Sequence, residues 1–172
     1  MILKIAFVLA VMAAGILLYG YWHAATHATL HVWLQDGTEG SRHQPVLEAE
    51  LSFMDASGRP VAKARSEAPL GVVYLSEPAA VACHEFERSA AFSAEARERW
   101  DRCFENQSRW LSRQVPAIAS VRVATGPCRL QVPVTLATYT DWWLWWVPSP
   151  HIGGTPYTNY SIRVVVDREQ CD

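Results

Sequence analysis

The chain begins with one long apolar segment and continues in short stretches where apolar and polar residues alternate. From Ile5 to Trp22 there are eighteen residues without a charge. At about 1.5 Å per residue, a helix of that length spans roughly 27 Å, close to the thickness of the hydrocarbon core of a bilayer. This segment is therefore predicted to be a transmembrane helix.

The charges that flank this segment predict its orientation. Lys4 and the amino terminus precede it, and the next basic residue is Arg42, so the positive-inside rule keeps the N-terminus cytoplasmic. The predicted parts are a cytoplasmic tip (1–4), a transmembrane helix (5–22), a juxtamembrane linker (23–28) and an extracytoplasmic domain (29–172). The expected localisation is the cell inner membrane, with a single pass and the main domain in the periplasm.

A cleaved signal peptide is the alternative, because it has the same charged start and apolar centre. Its best cleavage position, Thr26-His27-Ala28, is a poor match, and the aromatic stretch YGYWH fills the region that should end in small residues. Tyr19 and Trp22 suit the aromatic belt of a membrane interface instead. These features favour an uncleaved anchor.

Alternating residues predict β-strands after the anchor. In residues 45–55, the apolar Leu47, Ala49, Leu51 and Phe53 alternate with polar residues, which is the period of a strand with one wet face. DASGRP (55–60) follows as a turn signal. Further strand patterns cover residues 29–35, 61–66, 70–76, 118–124, 128–139 and 160–167.

One stretch, at about 93–113, has helical spacing instead, with Ser93 as a suitable N-cap. Its acid-then-base pairs, Glu95–Arg99, Glu98–Arg102 and Glu105–Arg109, indicate a solvated helix face. Six to eight short strands with one inserted α-helix predict a mainly β fold, an antiparallel β-sandwich of the immunoglobulin-like kind. A small open barrel is the alternative.

Four cysteines follow the anchor, and an even number on the exported side predicts two disulfides. Of the three possible connectivities, Cys83–Cys103 would fasten the helix and Cys128–Cys171 would tie the C-terminus to a strand. Half of the 172 residues are apolar, so the chain can bury a core. The net charge of −2 has no concentrated basic patch, which argues against a nucleic-acid partner.

The segment DWWLWWVPSPHIGG (141–154) has four tryptophans within five positions. Such a large apolar surface suits a protein interface best, with membrane docking and ligand stacking as the other uses. The predicted interface residues are Trp142, Trp143, Trp145, Trp146, Pro148, Pro150 and His151.

The sequence signals for catalysis and for metal binding are weaker. Asp141, Ser149 and His151 are close together in sequence, but no G-x-S-x-G elbow is present, so no catalytic residue is predicted. His23, His27 and His31 have the spacing of one helix face and are weak metal candidates. Because His31 falls in the first strand pattern, no metal site and no cofactor are predicted.

These observations predict a non-catalytic accessory or structural subunit of a larger membrane complex. Its expected partners are the other integral membrane subunits and the lipid bilayer. The alternative is a membrane-tethered periplasmic enzyme or ligand-binding module that uses the 141–154 loop.

Overall fold

The apolar N-terminal segment forms one helix, α1, from Ile2 to Thr26. The computed structural model describes residues 2–36, 48–67, 72–84, 86, 93–140, 142–144, 147–148 and 157–167. Within these ranges, Leu3–Thr26 is the one helix long and apolar enough to cross a membrane, with a mean hydropathy of 2.1. Both a membrane anchor and a signal sequence have these properties. The residues expected as a linker lie in α1 up to Thr26 and in the first strand from Ala28.

The described strands form three sheets. In chain order they are β1 (Ala28–Asp36), β2 (Glu50–Asp55), β3 (Pro60–Glu67), β4 (Val72–Glu77), β5 (Ile118–Thr125), β6 (Cys128–Pro133), β7 (Leu136–Thr140), β8 (Trp142–Leu144), β9 (Val147–Pro148) and β10 (Thr158–Val166). The strand orders are β4-β3-β2-β5-β6, β1-β10-β7 and β8-β9.

The two larger sheets share one hydrophobic core. Leu51 and Phe53 of β2 are fully buried, as are Ile162 and Val164 of β10, and all four belong to one cluster of contacting side chains. The period of two in each strand places its apolar residues on the face that meets the other sheet. The predicted mainly β architecture, with one inserted helix, is confirmed; its immunoglobulin-like class stays a prediction.

One strand pair departs from the antiparallel prediction. β1 runs parallel to β10 over nine residue pairs, from Ala28 opposite Thr158 to Asp36 opposite Val166. The other described pairs are antiparallel. Alternation of apolar residues is the same in both kinds of pairing, so the pattern could not distinguish them.

The stretch expected as a single strand over 128–139 is two strands in different sheets. β6 ends at Pro133, which has no N–H to donate to a neighbouring strand. The amide of Val134 still donates to the carbonyl of Ala119 at 3.0 Å, and the chain then crosses to the smaller sheet as β7.

The second helix, α2 (Ala94–Gln114), matches the helical pattern and begins after its predicted cap. A disulfide joins Cys103 of α2 to Cys83, as the preferred pairing requires, with the Cα atoms 5.7 Å apart. Short 3-10 helices occupy Ala79–Val81 and Val115–Ala117. Of the second expected pair, Cys128 is buried at the start of β6, and Cys171 lies outside the described residues.

Candidate functional site

The end of α1 is built into the sandwich without a linker, since only His27 separates α1 from β1. The last four carbonyls of a helix have no partner within the helix. Here Thr158 Oγ1 donates to the Ala24 carbonyl at 2.7 Å, and Ser112 Oγ donates to the Thr26 carbonyl at 2.8 Å. The amide of Thr158 donates to the His27 carbonyl at 3.0 Å. Both α2 and β10 therefore hold the helix end in place.

Two histidines are buried at this junction. His23 is 4% exposed and His27 is 1% exposed. Their spacing of four residues places them on one helix face, and their rings stack with centroids 3.9 Å apart and planes at 6°. Tyr157 contacts both rings edge-on, at 5.0 and 6.2 Å.

The hydrogen bonds of His27 define its tautomer. Its Nδ1 lies 3.1 Å from the His23 carbonyl and 2.9 Å from Thr26 Oγ1. The Thr26 hydroxyl donates its own proton to the Trp22 carbonyl at 2.8 Å, so its oxygen is an acceptor towards His27. Because Nδ1 faces two acceptors, it carries the ring proton, and Nε2 has a lone pair when the ring is neutral.

An acid and a base from α2 face that second nitrogen. His27 Nε2 lies 2.9 Å from Glu105 Oε1, and Arg109 Nε donates to His27 Nε2 at 3.0 Å. Arg109 also donates to Glu105 Oε1, from Nε at 3.0 Å and from Nη2 at 2.7 Å. Burial by itself raises the pKa of Glu105, but the hydrogen bonds and charges of His27 and Arg109 outweigh it, so this pKa lies below its ordinary value. Glu105 is an ionised carboxylate held by its two partners.

This cluster has the donor atoms of a metal site. One ligand atom from each of His23, His27 and Glu105 lies within 4.8 Å of the others. A cleft of about 370 Å³ adjoins it, with Trp22, His27 and Arg109 among its lining residues. The same groups also form a buried hydrogen-bond network that stabilises the junction.

The predicted histidine triplet is only partly brought together. His31 is exposed on β1, where its Nε2 lies 3.5 Å from Thr29 Oγ1. Glu105, which the helical pattern indicated as one half of a surface ion pair, takes the third position. It lies 78 residues from His27, so no local spacing in the sequence could have connected them.

The two described strands of the Trp-rich segment, β8 and β9, form a hairpin beside α1. β8 pairs antiparallel with β9, with Trp142 opposite Pro148, and the backbone of β9 lies in contact with α1. The other predicted interface residues, Trp145, Trp146, Pro150 and His151, lie outside the described residues, as do Asp141 and Ser149. The hairpin is therefore next to the apolar helix.

Comparison of the chain with protein-family models, with curated proteins and with solved structures finds no match in any of the three.

Proposed function

We propose that the chain is a non-catalytic accessory subunit of a larger membrane complex. In this proposal α1 is an uncleaved single span in the inner membrane, and the β-sandwich is a periplasmic docking domain. The observation that carries the proposal is the buried, hydrogen-bonded junction between α1 and the sandwich.

The junction supports an anchor over a signal sequence. Without α1, the folded domain would lose the contacts that this helix makes with α2 and β10. At the best cleavage position, His27 is 1% exposed and Ala28 is fully buried. A cut there would separate α1 from β1 and leave the Thr158 amide without the His27 carbonyl.

The surface of α1 supports a lipid environment. Exposed apolar side chains cover its length, and Leu3, Phe7 and Ile16 are each more than two thirds exposed. A helix that is apolar all round is stable in a bilayer or a protein core, and α1 is not in the core of this chain. Tyr21 and Trp22, each about half exposed, then lie where an interfacial aromatic belt belongs.

The position of the Trp-rich hairpin supports docking at the membrane. Because β9 contacts α1, a partner subunit in the same bilayer can meet the anchor and the hairpin together. Tryptophan is enriched among the residues that dominate the energy of protein interfaces. The proposed docking residues are the predicted set, Trp142, Trp143, Trp145, Trp146, Pro148, Pro150 and His151.

Extraction of the full chain from native membranes in mild detergent tests this proposal. The chain should migrate with partners in fixed stoichiometry, and its intact mass should correspond to a start near Met1. A mature N-terminus near Thr29 would contradict the anchor. A lone monomer would contradict the subunit and favour a membrane-tethered enzyme or ligand-binding module.

Substitution of the tryptophans tests the docking surface. Trp145→Ala and Trp146→Ala, made singly, are expected to have different effects, on the sequence-based expectation that neighbouring residues of an extended segment point to opposite faces. One variant should lose about 2 kcal/mol or more of binding, roughly thirtyfold in affinity, and remain folded. The other should lose about 3–5 kcal/mol of stability, as a core tryptophan does.

Trp33→Ala is the matched control, because Trp33 is 61% exposed on β1. It should change neither binding nor melting temperature appreciably. If both hairpin variants only lower the melting temperature while the partners stay bound, the interface lies elsewhere.

A further inference from the structure

We infer that the junction is a binding site for one divalent transition-metal ion. The ligands are an imidazole nitrogen of His23, Nε2 of His27 and a carboxylate oxygen of Glu105, whose ligand atoms lie within 4.8 Å of one another. His23 lies in the last turn of α1, His27 directly follows that helix, and Glu105 comes from α2. A bound ion would therefore tie the N-terminal helix to the sandwich, which is independent of the docking role proposed for the hairpin.

Two of the three ligands are already close to the separation that an ion requires. Bonds from zinc to imidazole nitrogen and to carboxylate oxygen are about 2.0–2.2 Å long. At the tetrahedral angle of a four-coordinate zinc site two such ligands are about 3.3–3.5 Å apart. His27 Nε2 lies 2.9 Å from Glu105 Oε1, so a small separation of the two side chains would admit the ion. The remaining step is a rotation of the His23 ring out of its stack on His27.

The ring of His27 is held in the orientation of a metal ligand. A ligating histidine usually donates its other N–H to a carbonyl or carboxylate, which fixes the ring and its tautomer. His27 Nδ1 lies 3.1 Å from the His23 carbonyl and 2.9 Å from Thr26 Oγ1, so it is the donor. Nε2 is then the nitrogen that faces Glu105, and it can bind an ion there without any change of backbone.

The guanidinium of Arg109 occupies the place that the metal ion would take. Its Nε lies 3.0 Å from both His27 Nε2 and Glu105 Oε1, so the guanidinium already neutralises the carboxylate and binds the lone pair. The Arg109 side chain is 53% exposed and lines the cleft of about 370 Å³. It can therefore move into solvent when an ion enters, and the ion and Arg109 compete for the same two atoms.

The donor set selects the class of metal. Two imidazoles and one carboxylate suit zinc and its neighbours, whereas calcium and magnesium prefer sites made of oxygen atoms. With three protein ligands, a fourth position remains for water.

Titration with Zn²⁺ tests the site. The full chain, purified in detergent without a histidine tag and treated with a chelator, should bind one equivalent of Zn²⁺ in isothermal calorimetry. Glu105→Gln and His27→Gln should each weaken binding by at least about tenfold, the loss that even an outer partner of a ligand causes. Arg109→Gln should tighten it, because the competing cation is removed.

His31→Gln and Glu98→Gln are the controls. His31 is exposed on β1, and Glu98 pairs with Arg102 at 3.2 Å on the surface of α2, so both should bind Zn²⁺ as the original chain does. Glu105 is 40% exposed, and the unfolding temperature of Glu105→Gln without zinc checks that this variant is folded. Zn²⁺ should raise the unfolding temperature of the original chain and not that of Glu105→Gln.

Absence of saturable Zn²⁺ binding by the original chain would overturn the site. So would binding that survives His27→Gln, or weaker binding in Arg109→Gln than in the original chain. Each of these results would leave the cluster as a structural ion pair.

Discussion

At the scale of single residues, Asp55 fixes the turn between β2 and β3. Its Oδ1 accepts from the Ser57 amide at 2.9 Å, the Ser57 hydroxyl at 2.6 Å and the Arg59 amide at 2.9 Å. Gly58, at φ 78°, supplies a conformation that other residues rarely adopt. The Ser57 hydroxyl is the largest of the interactions that lower the pKa of Asp55 from 3.8 to about 2.

This lowered pKa predicts an acid-sensitive hairpin. Because the folded pKa is below the unfolded one, the unfolded chain binds more protons at low pH, and stability falls as pH falls. The contribution of Asp55 is complete above a pH of about 4 and lost as the pH approaches 2. Thermal unfolding at a series of acidic pH values should show a smaller decline for Asp55→Asn than for the original chain.

Asp101→Asn makes the same change of charge on an exposed position of α2 and is the control. It should keep the pH dependence of the original chain. Identical acid profiles for Asp55→Asn and the original chain would contradict the role of this carboxylate.

At the scale of elements, a side chain caps the start of α2 by accepting a hydrogen bond from an amide that has no acceptor within the helix. Ser93 has the extended backbone of an N-cap, and its Oγ accepts from the Ala96 amide at 3.0 Å. Ser93→Ala should therefore cost about 1 kcal/mol in the free energy of unfolding, measured by denaturant titration. Ser93→Asp should retain the cap, and equal stability of the two variants would show that the cap contributes nothing.

The elements that depend on residues close together in the chain could be predicted from the sequence. The alternation in β2, the Asp55 turn and the helical spacing after Ser93 each depend on residues a few positions apart. The alternating pattern does not show that the strand ends at Pro133, and the reason is physical. Leu130, Val132, Val134 and Leu136 all pack against one core, although the chain changes sheets between them, so the period of two continues through the break.

At the scale of the whole molecule, pairings between distant segments could not be predicted. The parallel contact of β1 with β10 and the approach of Glu105 to His27 depend on how the sheets close. The spacing of His23 and His27 correctly indicated one helix face, but their third neighbour came from α2. The sequence therefore predicted the two histidines of the candidate site but not its carboxylate. The spacing of residues along a helix places them on one face and does not identify what packs against that face.

The contacts that join the end of α1 to α2 and β10 predict that the helix and the sandwich move as one body. If the junction is rigid, the amides of His27 and Thr158, bonded to the His23 and His27 carbonyls, should exchange slowly with deuterium in the detergent-solubilised chain. The double variant Ser112→Ala/Thr158→Val removes the hydroxyls that bond the Thr26 and Ala24 carbonyls.

Two lost hydrogen bonds of about 0.5–1.5 kcal/mol each should speed exchange in the peptide around His27 by roughly fivefold or more. Ser76→Ala/Thr135→Val, which changes the same residue types at exposed positions of the sandwich, should leave that peptide protected. Peptides from β5, which has a strand on each side, should stay protected in both variants, because the core does not depend on the junction. Exchange of the His27 peptide at the rate of an unstructured chain in the original protein would mean that the junction is a hinge. A hinge would let the sandwich turn freely above the membrane, so the anchor could not orient the Trp-rich hairpin towards a partner.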